Sequence, residues 1–217
     1  MRILYIDTSS SFLYSAIYEN NAIISEVKEE YGQSLSEVAL PKIVEMFTNN
    51  NLSPKAVDKI IVVNGPGSFT GIRIGVTIAK VFAWTLKIPI TTILSLEAMS
   101  ISSEKSSYHI PIINARRGFV FAAIYDENQN CIIKPQHIKI TELKKELDKI
   151  VDYEIISNDE FDEFDEFDNI KKYNPNILKI VEHFKNKKEI SAHAVNPEYL
   201  KLTEAEENKN DNRNNKW

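Results

Sequence analysis

Residues 64–75 read NGPGSFTGIRIG. Gly65, Gly67 and Gly71 fall in the first eight positions, behind the apolar run KIIVV and ahead of VTIAKVFAWTL, so the segment stands where phosphate-gripping loops stand. A Walker-type loop needs Lys and then Ser or Thr directly after its last glycine, because the ammonium reaches the outer phosphates and the hydroxyl reaches magnesium. Here Gly71 is followed by Ile72 and Arg73, which removes that reading. A dinucleotide fingerprint fails as well, since GPGSFTG is one residue too long and no acid follows in TLKIPIT to hold a ribose. What remains is a turn, Gly65, Pro66, Gly67, Ser68, Phe69, Thr70 and Gly71, that leads a buried strand into a helix and sets the direction in which the helix leaves. Free N–H groups at such a helix start retain the capacity to meet an anion.

The helix that the turn aims is unusually apolar. At 100° per residue Arg73, Thr77, Lys80 and Trp84 share one stripe, leaving an apolar or small-residue arc of roughly 220° that includes Ile74, Ile78, Val81 and Phe82. A surface helix normally buries a stripe only somewhat wider than 100°, so the excess predicts either a neighbouring helix or another chain. An earlier segment, SLSEVALPKIVEMF, shares the property: Ser34 and Glu37 have capping-box spacing, and Leu35, Val38, Ala39, Ile43, Val44 and Phe47 recur at helical intervals, with Pro41 expected to kink the axis. The two helices predict a partner-docking surface built from Leu35, Val38, Ala39, Ile43, Phe47, Arg73, Ile74, Ile78, Val81 and Phe82. The alternative is that they pack only on each other and on a sheet.

Outward from these helices the chain shows one theme twice. ILYIDTS, LYSAIYE and AIISEVKE form a meander of β-prone runs, followed by helix, strand, helix and strand; HIPIINAR, GFVFAAIYDE and CIIKPQHIKI then repeat the meander ahead of further helices and a strand. This predicts an α/β protein with a first half over 1–105, a second over 106–203, and a polar, Asn-rich tail over 204–217 that is expected to be disordered. With 217 residues and 43% hydrophobic content the chain is long enough for a sizeable core. No signal-peptide pattern and no apolar run near 20 residues is read, so a cytoplasmic protein without membrane contact is expected. Cys131 is the single cysteine, which excludes an internal disulfide. A net charge of −5 disfavours an independent grip on nucleic acid, so any tRNA contact is expected only through a partner. The run DEFDEFDEFD, residues 159–168, packs seven carboxylates into ten positions, yet a bare repeat lacks the varied ligand angles that a cation needs, so no metal is expected there.

ILYIDTSS, NGPGSFTGIRIG, LSLEAMS, INARRGFVFAAIY and the late NPEYLK occur in the order seen in the TsaB family, also called YeaZ, and the sequence resembles that family over most of residues 1–205. The resemblance implies an actin-like, Hsp70-like ATPase (ASKHA) fold with two related α/β halves. It also implies a non-catalytic scaffold or activating subunit for TsaD, which transfers a threonylcarbamoyl group to the tRNA adenosine beside the anticodon. TsaE, a small ATPase, is the further partner implied, and a homodimer is expected when the chain is alone. TsaD-like subunits carry an H-x-x-x-H pair on an early helix, whereas the matching stretch here, GQSLSEVALP, has no histidine; His109, His137, His183 and His193 stand apart with no metal-pair spacing. No cofactor is expected. Asp7, Thr8 and Ser9, with Ser10, are a vestigial nucleotide site on this reading, because the loop has the acid and hydroxyls of an actin-like phosphate hairpin without its glycines. The alternative is an ATPase or sugar-kinase-like enzyme in which Asp7 positions magnesium; a peptidase finds no recognisable Ser-His-Asp set. Asn114 in INARRG replaces the Asp usual in the family, so Arg116 and Arg117 are expected to lack a local acidic partner.

Overall fold

The computed structural model describes residues 1–103, 106–159, 167 and 170–201. The acidic run apart from Asp159 and Phe167, and the tail 204–217, lie outside the described residues. In the first sheet β1 (Arg2–Asp7), β2 (Phe12–Glu19) and β3 (Ala22–Glu30) form the antiparallel meander, and β4 (Lys59–Val63) and β5 (Ile90–Ile93) add parallel to β1, giving the order β3-β2-β1-β4-β5. Asn20 and Asn21, both at positive φ, make the tight β2–β3 turn that such residues favour.

The second sheet repeats the plan. β6 (Tyr108–Arg116), β7 (Phe119–Asp126) and β8 (Cys131–Lys139) are antiparallel, and β9 (Tyr153–Ser157) and β10 (Ile170–Lys172) extend the sheet in parallel from β6, giving β8-β7-β6-β9-β10. Two sheets with the same strand order and sense are the two related α/β halves that the doubled sequence theme predicts.

Helices α1 (Leu35–Asn49) and α2 (Phe69–Leu86) cover one face of the first sheet, α3 (Ser95–Ile101) and α5 (Ile177–Phe184) lie between the sheets, and α4 (Ile140–Leu147) covers the outer face of the second. The period of two along β1 sorts the layers: Leu4 and Ile6 enter the core under α1 and α2, while Ile3 and Tyr5 enter the inter-sheet core. Ser34 does not cap α1 as expected from its spacing to Glu37. A short 3-10 turn, Gly32–Ser34, precedes α1, and the Ser34 hydroxyl donates back to the Tyr31 carbonyl. Helix α1 runs through Pro41 without interruption. By length and composition α2 is apolar enough to cross a membrane, with mean hydropathy 1.3, but Ile72, Val76, Ala79 and Ala83 are buried against this chain's own sheet and helices, as in a core helix.

Residues 177–200 return to the first sheet. After α5 has crossed it, Ile190 bridges Ile90, a turn at Ala192–Ala194 packs on α2, and Lys80 Nζ donates to the Val195 carbonyl (2.8 Å). Asn64 Nδ2 donates to the Asn196 carbonyl and the Glu198 amide donates to the Asn64 carbonyl. Lys59, buried in β4, donates to the carbonyls of Lys185 and Lys187 and pairs with Glu189 at 3.1 Å, so a buried ammonium is compensated on three sides.

Candidate functional site

The glycine turn is seated on the β1–β2 loop. Ser68 N donates to the Ser9 carbonyl (2.7 Å) and Thr8 Oγ1 donates to the Gly71 carbonyl (2.7 Å). A Cβ at Gly67 would stand 2.2 Å from the Ser9 carbonyl oxygen, and one at Gly71 would stand 2.1 Å from that of Thr8, so these two glycines serve close backbone approach. Ser68 caps α2 by accepting from Gly71 N (3.2 Å), while Ser95 ties its backbone to Gly65 and its hydroxyl to the Pro66 carbonyl. These contacts clamp the turn and the start of α2 onto the β1–β2 loop.

Asp7, at the end of β1, is buried. Its Oδ1 accepts from Ser9 N (2.8 Å) and Ser9 Oγ (2.7 Å), and its Oδ2 faces the Tyr5 hydroxyl at 3.5 Å. Burial pushes the carboxyl above its ordinary range, and the two Ser9 hydrogen bonds offset part of that rise. Thr8 and Ser9 are buried as well. Asp7, Ser9 and Ser10 form one wall of a cleft of about 470 Å³ between the sheets, closed on the other sides by Ser68 and Phe69, by Asn114, Arg116, Asn158 and Asp159, and by Tyr14 and Tyr173.

Asn114 works as a turn residue. Its Oδ1 accepts from the Arg116 amide (2.7 Å), and its own amide donates to Asp159 Oδ2 (2.6 Å) where the chain reverses through Arg116, Arg117 and Gly118, all at positive φ. Asp159, the first residue of the acidic run, thus brings a carboxylate to the main chain of Asn114. Sequence spacing gives no signal for that pairing, which joins strands 45 residues apart. Of the histidines, His109 is buried with Nδ1 3.2 Å from Gln129 Nε2, and burial lowers its pKa from the ordinary value; His137 stacks on Phe119.

The residues expected at a docking surface divide by burial. Leu35, Ala39, Ile43, Phe47 and Ile78 are core residues, Val38, Ile74 and Phe82 are half-buried, and Arg73 and Val81 are exposed. The wide apolar arc of α2 is covered mainly from within the chain, by α1, by β4, and by Ala192 and Val195 of the returning segment. The apolar side chains left outside are Leu40 and Val44 on α1 and Phe69, Val81 and Trp84 on α2, with Trp84 the most exposed at 67% and Val81 at 56%. Trp84 belonged to the polar stripe in the helical projection, Val44 to the apolar face of α1 and Leu40 to no expected face, so only the packed structure shows which of them stay outside. Arg73 lies 3.5 Å over the Phe69 ring and donates through Nε to the Tyr199 hydroxyl (2.9 Å), which holds the start of α2 to the returning segment.

The family model described as "TsaD: tRNA N6-adenosine threonylcarbamoyltransferase" matches residues 20–165. The chain is similar to the tRNA threonylcarbamoyladenosine biosynthesis protein TsaB of Bacillus subtilis, with 31% identity over 95% of this chain and 96% of that relative. It is also similar to the protein of the same name from Escherichia coli, with 28% identity over 61% of this chain and 58% of the relative. Among solved structures, a Pseudomonas aeruginosa protein described as similar to peptidase YEAZ superposes with a TM-score of 0.76 at 17% identity, covering 92% of this chain and 99% of that one. YeaZ from the same organism gives 0.71 at 15% identity, covering 91% and 100%. At these identities the structural likeness speaks for the fold.

Proposed function

The chain belongs to the TsaB family, and from that membership we propose that it is a non-catalytic subunit that docks on TsaD and enables threonylcarbamoyl transfer to tRNA. A role in threonylcarbamoyladenosine biosynthesis, within a complex with TsaD, follows from membership itself. The observation that carries the docking reading is the pair α1 and α2, which pack on one another, have their inner faces taken up by the sheet and the returning segment, and still expose Leu40, Val44, Val81 and Trp84. Exposed aromatic and aliphatic anchors on rigid helices are the usual centre of a protein interface. On this reading the same face pairs two copies of the chain when TsaD is absent, and TsaE and tRNA join through the TsaD complex in the cytoplasm. The non-catalytic part is supported by Asp7, whose Oδ1 is engaged by Ser9, and by a glycine turn filled by the chain's own backbone.

Trp84→Glu and Val44→Glu test the reading, with Ile43→Glu as the core control. Docking would force the new carboxylates out of water at a cost of several kcal/mol, so both surface variants are expected to keep the wild-type melting temperature and to lose co-purification with TsaD at least tenfold. Ile43→Glu is expected to unfold. Surface variants that fold and support full tRNA modification with TsaD would place the interface elsewhere.

A further inference from the structure

Among the described residues the two sheets end in four edge strands, and three of these are poorly suited to accept another strand. On β5, Ile90 exchanges backbone hydrogen bonds with Ile190 (3.1 and 2.8 Å). β10 is three residues long, and β8 is interrupted by Pro135. Covered, short and proline-bearing edges are how sheets keep foreign strands away. β3 has none of these devices: Ala22–Glu30 runs nine residues without proline and pairs on one side only, with β2. Past one register shift opposite Tyr18 its ladder is regular from Ser25 to Glu30. Helices α1 and α5 contact β3, and among the described residues its outer edge stays unpaired.

One hydrogen bond fixes which backbone groups face outward. Tyr31 N donates to the Ser11 carbonyl (3.0 Å), so in the antiparallel register Ser25, Val27 and Glu29 exchange hydrogen bonds with β2. The amides and carbonyls of Glu26, Lys28 and Glu30 therefore turn to the open edge. The same three residues carry charges of alternating sign along it. In the single chain Lys28 pairs with Glu26 at 3.1 Å, and both are exposed. A second copy laid antiparallel about a two-fold axis at Val27 sets Glu26 opposite Lys28 of that copy, twice, in hydrogen-bonded pairs with Cα atoms about 5.5 Å apart. Moving the axis by one residue sets Glu26 against Glu26 or Lys28 against Lys28. Opposite charges across a ladder stabilise it and like charges destabilise it, so this edge accepts its own copy in one register and resists the neighbouring ones.

We infer that β3 is a self-pairing edge, which joins two copies of the chain in one antiparallel ladder through two Glu26–Lys28 pairs. No residue of the α1–α2 face takes part, so failure of this inference would leave the TsaD reading untouched.

Sedimentation equilibrium of the full chain carrying Trp84→Glu is the test, because that change disfavours pairing through α1 and α2. A monomer–dimer equilibrium is expected to persist. Adding Glu26→Lys or Lys28→Glu is expected to weaken it at least tenfold, since each places two like-charge pairs across the ladder. An equimolar mixture of these two variants is expected to recover the parent affinity, because every cross-strand pair is then Glu against Lys; the double swap, Glu26→Lys with Lys28→Glu, is expected to recover it too. Both side chains are exposed, so the variants are expected to stay folded, and either change in the otherwise unaltered chain is expected to leave co-purification with TsaD as it was. A Trp84→Glu chain that stays monomeric throughout would overturn the inference. Equal dimerisation by all variants would overturn it as well, and so would a loss that neither the mixture nor the double swap restores.

Discussion

Replacing Gly71 by Ala probes the contact between the glycine turn and the β1–β2 loop. The added Cβ would stand 2.1 Å from the Thr8 carbonyl oxygen, where ordinary contact begins at 3.4 Å, and the obstacle is backbone, so the two segments must separate by more than an ångström. Separation weakens the Thr8 Oγ1 to Gly71 carbonyl bond and the Ser68 N to Ser9 carbonyl bond, at about 1 kcal/mol each. Overpacking adds about 1–3 kcal/mol. Better helix propensity of Ala over Gly returns about 1 kcal/mol, because Gly71 lies in the first turn of α2. The net loss is about 2–4 kcal/mol, which for a chain of this size lowers the melting temperature by roughly 5–15 °C. Calorimetry on Gly71→Ala, Gly75→Ala and Gly32→Ala reads the series. At Gly75 the clash is with Thr8 Oγ1, a side-chain atom that can rotate away, so a smaller drop is expected. Gly32 has nothing within 4 Å and suffers only its positive φ of 52°, which costs about 1–2 kcal/mol. If Gly71→Ala melts with Gly32→Ala or above it, the turn is not clamped on Thr8 and Ser9 and the account of how α2 is aimed fails.

Two further perturbations test other parts of the structure. Because burial raises the Asp7 carboxyl above its unfolded value of 3.8, the folded state prefers the protonated form: Asp7 costs no stability below pH 3.8 and costs progressively more as pH rises through the folded value. Asp7→Asn is therefore expected to melt higher than wild type at pH 7, with the gap closing below pH 3.8, as followed by thermal unfolding from pH 3 to 8; a lower melting point at pH 7 would show that the charge is stabilised in place. Lys59→Met removes the donor to the Lys185 and Lys187 carbonyls and the partner of Glu189, leaving groups that cost about 1–3 kcal/mol each if they stay unpaired. Limited trypsin digestion is expected to cut several-fold faster between Lys185 and Lys188, and an unchanged rate would mean that the returning segment is held by its other bonds alone.

Elements with strong internal periodicity were legible in the sequence. The short β-prone runs ILYID and FLYSAIY, bounded by polar breaks, and the long apolar helix after GIRIG each carry their own structure, because run length and helix period are local properties of the chain. The duplicated meander was legible for the same reason, since two similar strings of local elements build two similar sheets. The Ser34–Glu37 spacing misled because a 3-10 turn enters α1 and takes the serine hydroxyl for Tyr31, a competition between local hydrogen bonds that spacing does not rank.

The sequence by itself therefore determined that a glycine turn aims an over-apolar helix and that the motifs match the TsaB family. Which side of that helix stays free was decided only in the folded chain. Ala192 and Val195 cover α2 from more than 100 residues away, while Trp84, Val81 and Val44 remain exposed. The cleft behaves likewise: Asp7, Asn158 and Tyr173 are distant in sequence and meet only because α3 and α5 hold two sheets face to face. A helical projection assigns a residue to a face, but burial depends on which distant segment packs on that face, and that pairing is set by the free energy of the whole core.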